Sequence, residues 1–216
     1  MPQNPISDFL NFVIGQYGDQ VSLSKAGLGG LVWLTLAVYW VLFVGGIGIA
    51  IYSWARDASQ RTAAHLSIFI MRFTMAGMWA LATLWKLPWP VSDGFKYWLG
   101  ASVKGSSFHW HASMMAMFND HIALVQPLVF LLETALTISL MLGIGVRLAG
   151  VIGTAFLINL WIGLYNAEGE WPWTYIGIAW AHGMFAAAAA GRSLGLDHWL
   201  RDRVPGPVGR LYRVIS

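Results

Sequence analysis

Three ionisable side chains, Arg72, Glu133 and His182, lie inside long apolar stretches of the chain, with Asn159 as a neutral fourth. Such groups are costly within a membrane and usually face a partner or a cavity. A buried carboxylic acid or a histidine can supply a proton near neutral pH. These residue types therefore suit a proton-handling site or a site for a quinone headgroup, whose oxygens need hydrogen-bond partners. The alternative is structural: Arg72 and Glu133 form an ion pair that fixes helix register, and His182 donates to a carbonyl or to Asn159.

The depth of each side chain follows from the helical rise of about 1.5 Å per residue. Glu133 lies about 15 Å from the outer end of its predicted helix, and His182 about 12 Å from the outer end of its own. Arg72 enters from the opposite side and lies about 9 Å deep, within reach of Glu133 if its side chain extends. This estimate allows these side chains to meet in the interior of one helical bundle.

Composition indicates that the surroundings of these residues are a membrane. The 216 residues are 57% hydrophobic and 11% charged, whereas soluble domains carry about 25% charged residues. Windows of about 18 residues or more lack charge, which is the length that crosses a hydrocarbon core. The chain has no cysteine, which excludes disulfides and iron–sulfur clusters within it. Membrane topology explains the net charge of +3 better than nucleic acid, which we do not expect as a partner.

We therefore predict an all-α membrane protein with five transmembrane helices and additional interfacial helices. The predicted spans are 29–54, 66–87, 123–146, 148–166 and 174–191. Residues 1–28 carry apolar positions at helical spacing, which predicts an interfacial segment. Residues 201–216 form a predicted basic cytoplasmic tail, and residues 88–122 a long outer loop that lies on the membrane.

Arginine and lysine divide between the two sides of these predicted spans. Because cytoplasmic loops are enriched in basic residues, the side with more of them is predicted to be cytoplasmic. We expect a multi-pass protein of the bacterial inner membrane, with its N-terminus outside and its C-terminus inside. The arginine side carries Arg56, Arg61, Arg147, Arg192, Arg201, Arg203, Arg210 and Arg213, and the other side carries Lys25, Lys86, Lys96 and Lys104.

The stretch SFHWHASMMAMFNDH, residues 107–121 of the outer loop, combines histidines with methionines. A metal site formed by His109, His111 and His121 is one interpretation, since imidazole suits Zn and Cu(II). Histidines two residues apart point away from each other on a helix, however, and no established metal spacing is present. We therefore expect no metal and predict a short interfacial helix. Its apolar face comprises Trp110, Met114, Met117, Phe118 and His121.

Charged residues also lie at the outer ends of the predicted helices. Glu168 and Glu170 stand beside two tryptophans and suit either a cation site or a contact with a basic partner. A tryptophan-anchored turn is the favoured interpretation, because isolated acidic pairs are usually solvated. Lys86 is expected to pair with either glutamate or to reach the lipid headgroups.

Small and aromatic residues indicate helix packing and contacts with other subunits. Gly46 and Ala50 are four residues apart on the first span, which lets helix backbones approach closely. Trp98 and Trp110 belong to the aromatic outer loop, where a protein contact is expected. The predicted partners are other membrane-protein subunits and membrane lipids.

Several motifs resemble the DoxX/DoxD family of integral membrane proteins. RFTMAG at residues 72–77, followed by Trp85-Lys86-Leu87-Pro88, is similar to the family's first core helix. QPLVFLLETALTISLMLGIGVRLAG, with Pro127, Glu133 and Arg147, resembles the second, and AAGRSLGLDHWL resembles the closing motif. The resemblance covers residues 66–200 and implies a four-helix bundle, to which the first span is an addition. Its best characterised members are subunits of a thiosulfate:quinone oxidoreductase, and others are accessory subunits.

The sequence thus favours a membrane subunit of a multisubunit electron-transfer complex, with a quinone-adjacent site. An alternative is a structural accessory subunit of a respiratory or photosynthetic assembly. A small transporter is less favoured, because the chain shows no inverted repeats or broken helices. Whether the chain is itself an enzyme is left open, and the expected non-covalent ligands are quinone and lipid.

Overall fold

The computed structural model describes residues 29–216, and this range is helical without any strand. The predicted interfacial segment 1–28 lies outside the described residues. The α-helices of this range are α1 (Gly29–Arg56), α2 (Ala63–Leu84), α3 (Asp93–Gly105), α4 (His109–Asp120), α5 (Ile122–Leu142), α6 (Val146–Gly163), α7 (Trp173–Ala187), α8 (Leu196–Leu200) and α9 (Gly206–Ile215). Short 3₁₀ turns occupy Ala58–Gln60 and Ala190–Arg192.

Four of these helices, α1, α2, α5 and α6, are long and apolar enough to cross a membrane. They coincide with the first four predicted spans. The fifth prediction, 174–191, is not confirmed, because α7 has only 15 residues and rises about 22 Å, less than a hydrocarbon core of about 30 Å. The helix stops where Ala189 adopts a left-handed conformation with φ 49°.

The long helices pack as antiparallel pairs, α2 with α5 and α6 with α7, and α1 lies against α5. A Cβ atom at Gly46 would lie 2.6 Å from the Met141 carbonyl oxygen and 2.8 Å from the Phe73 ring. Ala50 is buried as well. The close approach at Gly46 is therefore a contact of α1 with α2 and α5 of this chain.

The bundle has two ends that differ in their basic residues. At the arginine end, the connection between α1 and α2 meets the segment after α7, where the Leu194 N–H donates to Gln60 Oε1 at 2.9 Å. At the lysine end, residues 85–122 meet residues 164–172, where the Asn166 N–H donates to the Gly105 carbonyl at 3.0 Å. Among the described residues, every lysine lies at the lysine end.

The predicted outer loop contains two helices, α3 and α4, which pack on each other and on α6. A helix was predicted within residues 107–121, and α4 lies there. The predicted apolar face is divided, however: Trp110 and Met117 are exposed, whereas Met114 and Phe118 pack against a cluster around Met115. The buried side of α4 carries His111, which faces the bundle.

Candidate functional site: an apolar cavity at the lysine end

Arg72 and Glu133 do not pair with each other. Arg72 is fully buried near the arginine end, where its Nη1 donates to the Leu140 carbonyl and its Nη2 lies 3.4 Å from the Ser193 carbonyl oxygen. Glu133 instead forms an ion pair with Lys86 at the lysine end. Arg72 therefore does not reach Glu133, and the ion pair of the structural alternative is not formed. The helical rise gives depth along the bundle but not the neighbour across it.

His182 is fully buried and has partners for both ring nitrogens. Trp79 Nε1 donates to Nε2 at 2.9 Å, so the proton is on Nδ1, which donates to the Ile178 carbonyl at 2.9 Å. The second hydrogen bond matches the structural alternative, in which His182 donates to a carbonyl. With both nitrogens used, His182 holds α2 against α7 and is not free to bind a ligand.

A cavity of about 300 Å³ lies among α2, α3, α4, α5, α6 and α7 at the lysine end. Most of its wall is apolar or aromatic, and its polar side chains come from five different parts of the chain. Its lining residues include Trp85, Phe95, Trp98, Leu99, Phe118, Val129 and Phe156, together with the polar Lys86, Ser102, Glu133, Asn159 and Tyr175. Ligand sites in proteins commonly have this size and this mixture of apolar walls with few polar groups.

The Glu133 carboxylate is the most deeply buried polar group of this cavity. Its side chain is 1% exposed, and that of Lys86 is 11% exposed. Lys86 contacts Oε1, whereas Oε2 has no hydrogen-bond partner among the described residues. Lys86 Nζ also lies 4.5 Å from the centre of the Trp85 ring. A buried carboxylate oxygen without a partner is costly, so Oε2 is available to a ligand that donates a hydrogen bond.

Asn159 has its carbonyl oxygen fixed by a histidine. His111 Nε2 lies 3.0 Å from Asn159 Oδ1, and His111 Nδ1 lies 2.9 Å from Ser106 Oγ. Since the Asn159 oxygen only accepts, Nε2 carries the proton and Nδ1 accepts from the serine hydroxyl. The amide Nδ2 of Asn159 is thereby left as a donor, with no partner among the described residues.

The three histidines of the metal interpretation are separated. His109 is exposed, His111 is engaged as described above, and His121 Nδ1 lies 2.9 Å from the Met117 carbonyl oxygen. Within residues 29–216, no three His, Asp or Glu side chains come together as a group that could hold a metal ion.

The outer charged and aromatic residues also have distinct environments. Glu170 accepts a hydrogen bond from the Tyr175 hydroxyl at 2.6 Å, whereas Glu168 is exposed. Lys86 pairs with neither of them. Trp98 lines the cavity. The sequence analysis considered it only as a contact with another subunit. Trp110 is 61% exposed, and its ring stacks on that of Phe108.

Asp197, which the sequence reasoning did not single out, organises the arginine end. Its carboxylate is fully buried and accepts hydrogen bonds from the backbone N–H groups of Gly145 at 2.8 Å and Val146 at 3.1 Å. It thus caps the N-terminus of α6, and it also accepts from the Tyr212 hydroxyl at 2.5 Å. Only its place in the motif AAGRSLGLDHWL could have drawn attention to it.

Comparisons of the chain with protein-family models, with curated proteins and with solved structures found no match. The function must therefore be argued from the cavity and the membrane-spanning helices. The resemblance to the DoxX/DoxD family remains a prediction from the motifs.

Proposed function

We propose that this chain is an integral membrane subunit of an electron-transfer complex and that its cavity binds a quinone. The observation that carries the proposal is the apolar cavity of about 300 Å³ with the unpartnered Glu133 Oε2 in its wall. A flat ring fits among the aromatic side chains. The quinone oxygens accept from Asn159 Nδ2 and lie near the positive charge of Lys86. The unpartnered Glu133 Oε2 accepts from a hydroxyl of the quinol, or donates to a quinone oxygen when the carboxyl group is protonated.

The chemistry at this site is the reduction of a quinone by two electrons and two protons to the quinol. Glu133 holds one of the two protons beside the ring, since Lys86 occupies only one of its two carboxylate oxygens, and water at the lysine end supplies the other. Because the chain lacks cysteine, it holds no iron–sulfur cluster of its own. The electrons therefore come from a partner subunit.

We further propose that α7 is a fifth membrane span in a DoxX/DoxD-like bundle. Residues 171–191 contain no Asp, Glu, Lys or Arg. Trp180 and Met184 of α7 are 67% and 66% exposed, which suits a lipid-facing surface. The excess of arginine favours the arginine end as the cytoplasmic side of a bacterial inner membrane.

A structural accessory subunit is the second candidate, and α1 favours it. Gly30 and Gly48 have open space where a Cβ atom would be, and Val41 and Val44 are 73% and 63% exposed. Small residues on an exposed helix face allow a helix of another protein to approach closely. The substitution Gly48→Leu would then release the chain from its complex without affecting quinone binding.

Quinone binding is tested with the purified chain in liposomes and menadione as the probe. Menadione bound in the cavity quenches the tryptophans of its wall, so quenching saturates. We expect Val129→Trp, which fills the cavity, to abolish the saturable part, and Val151→Trp on an exposed position of α6 to preserve it. Equal saturable quenching in both variants would overturn the proposal.

A further inference from the structure

Helix α9, residues Gly206–Ile215, has two chemically different sides. Val208, Leu211 and Val214 recur at intervals of three residues and are 67%, 63% and 68% exposed. Arg213 is exposed opposite this stripe, and Arg210 is exposed at its edge, one turn before Val214. An amphipathic helix with basic residues opposite an apolar stripe is typical of segments that lie in a membrane surface.

The position of α9 is fixed by contacts with the arginine end of the bundle. The Tyr212 hydroxyl donates to Asp197, which caps the first turn of the membrane-spanning helix α6. Arg192 Nη2 donates to the Ser216 carbonyl at 2.8 Å. These contacts hold α9 level with the end of a span, which is the depth of the lipid headgroups.

The charge at this end selects the kind of lipid. The segment 188–216 contains five arginines and two aspartates, a net charge of +3. Phosphate groups are suitable partners for arginine, because they accept two parallel N–H bonds.

We propose that α9 lies in the plane of the membrane at the arginine end and binds anionic phospholipids. Val208, Leu211 and Val214 enter the acyl region, and Arg210 and Arg213 contact the headgroup phosphates. The proposal rests on the membrane-spanning helices alone and is independent of the quinone site.

The orientation of α9 can be measured because the chain has no cysteine. Single-cysteine variants Leu211→Cys and Val214→Cys carry a spin label in nanodiscs that contain phosphatidylglycerol, with Arg213→Cys as the matched control. We expect labels at 211 and 214 to collide with oxygen, and the label at 213 to collide with a water-soluble nickel complex. Two results would overturn the proposal. The nickel complex could reach all three labels, or neither reagent could reach the labels at 211 and 214, as expected for a contact with protein.

The preference for anionic lipid is measured by native mass spectrometry after exchange with phosphatidylglycerol or phosphatidylcholine. We expect retention of phosphatidylglycerol to fall about fivefold for each arginine removed in Arg210→Gln and Arg213→Gln. The variants Lys96→Gln and Lys104→Gln, on exposed positions at the other end, should have no effect. Equal retention of both lipids, or displacement of phosphatidylglycerol by inorganic phosphate, would contradict binding of the lipid itself.

Discussion

The buried carboxylate of Asp197 should be the most sensitive position at the arginine end. Asp197→Ala removes the acceptor for the N–H groups of Gly145 and Val146 and for the Tyr212 hydroxyl. It also removes a negative charge that attracts the buried guanidinium group of Arg72. The three donors then lose their acceptor, whereas the Arg72 guanidinium group keeps its backbone carbonyl partners.

The expected loss is about 3–5 kcal/mol, because three donors lose their acceptor and a buried donor left without a partner costs about 1–3 kcal/mol. For a chain of this length, each kcal/mol lowers the melting temperature by about 2–4 °C. Asp197→Ala should therefore lower it by about 6–20 °C. Removing both charges in Arg72→Met/Asp197→Ala should cost less than the sum of the two single substitutions, because neither charge is then left alone.

Tryptophan fluorescence during heating in mild detergent gives the melting temperatures. The exposed Asp202 provides the control, and Asp202→Ala should melt within about 2 °C of the unsubstituted chain, as surface substitutions do. If Asp197→Ala also melts within that interval, the capping of α6 by Asp197 does not stabilise the fold and the argument is refuted.

Three other substitutions test the packing and the ends of the bundle. Gly153→Ala should lower the free energy of unfolding by about 1–3 kcal/mol, because the new Cβ would overlap the His182 ring. Gly48→Ala is the control, since its Cβ enters open space and should be neutral. Thermal melting compares the two. Gln126→Leu should destabilise the chain by about 1–3 kcal/mol, because the Gln126 side chain donates to the Leu87 and Pro90 carbonyls and accepts from the Ser92 N–H; a stability equal to that of the unsubstituted chain would contradict this. Hydrogen bonds from Ser59 and the contact with His198 lower the pKa of Asp57. The ionised Asp57 therefore stabilises the fold above pH of about 4, and this stabilisation is lost at lower pH. Asp57→Asn should flatten the dependence of the melting temperature on pH between about pH 3 and 5.

The sequence predicts the long helices well, because windows of apolar residues determine them directly. The end of α7 is not predictable in this way. The run AAAAAG continues an apolar helix without a break, and nothing in it indicates the left-handed conformation of Ala189 that follows α7. Helix α7 is therefore shorter than the apolar window 174–191 from which the fifth span was predicted.

The partners within the candidate site depend on rotation about each helix axis, which periodicity leaves undetermined. Lys86 lies just past the end of α2, yet its long side chain reaches back to Glu133 on α5. His111 was considered only with the neighbouring histidines. Its spacing with Met115 and Phe118 is equally helical and corresponds to the side that faces the bundle.

The capping contact of Asp197 joins residues more than 50 positions apart and has no local pattern. Its carboxylate satisfies backbone donors at the start of α6, where Gly145 offers no side-chain cap. Contacts of this type follow from the fold as a whole, so a single sequence does not reveal them.

Purification of the tagged chain from its native membrane in mild detergent, followed by mass spectrometry of proteins and extracted quinones, tests the central proposal most directly. We expect a redox subunit and about one quinone per chain to remain with the chain. Val129→Trp should lose the quinone but keep the subunit. A partner complex retained without quinone, or quinone retained equally by Val129→Trp, would contradict a quinone site in this cavity.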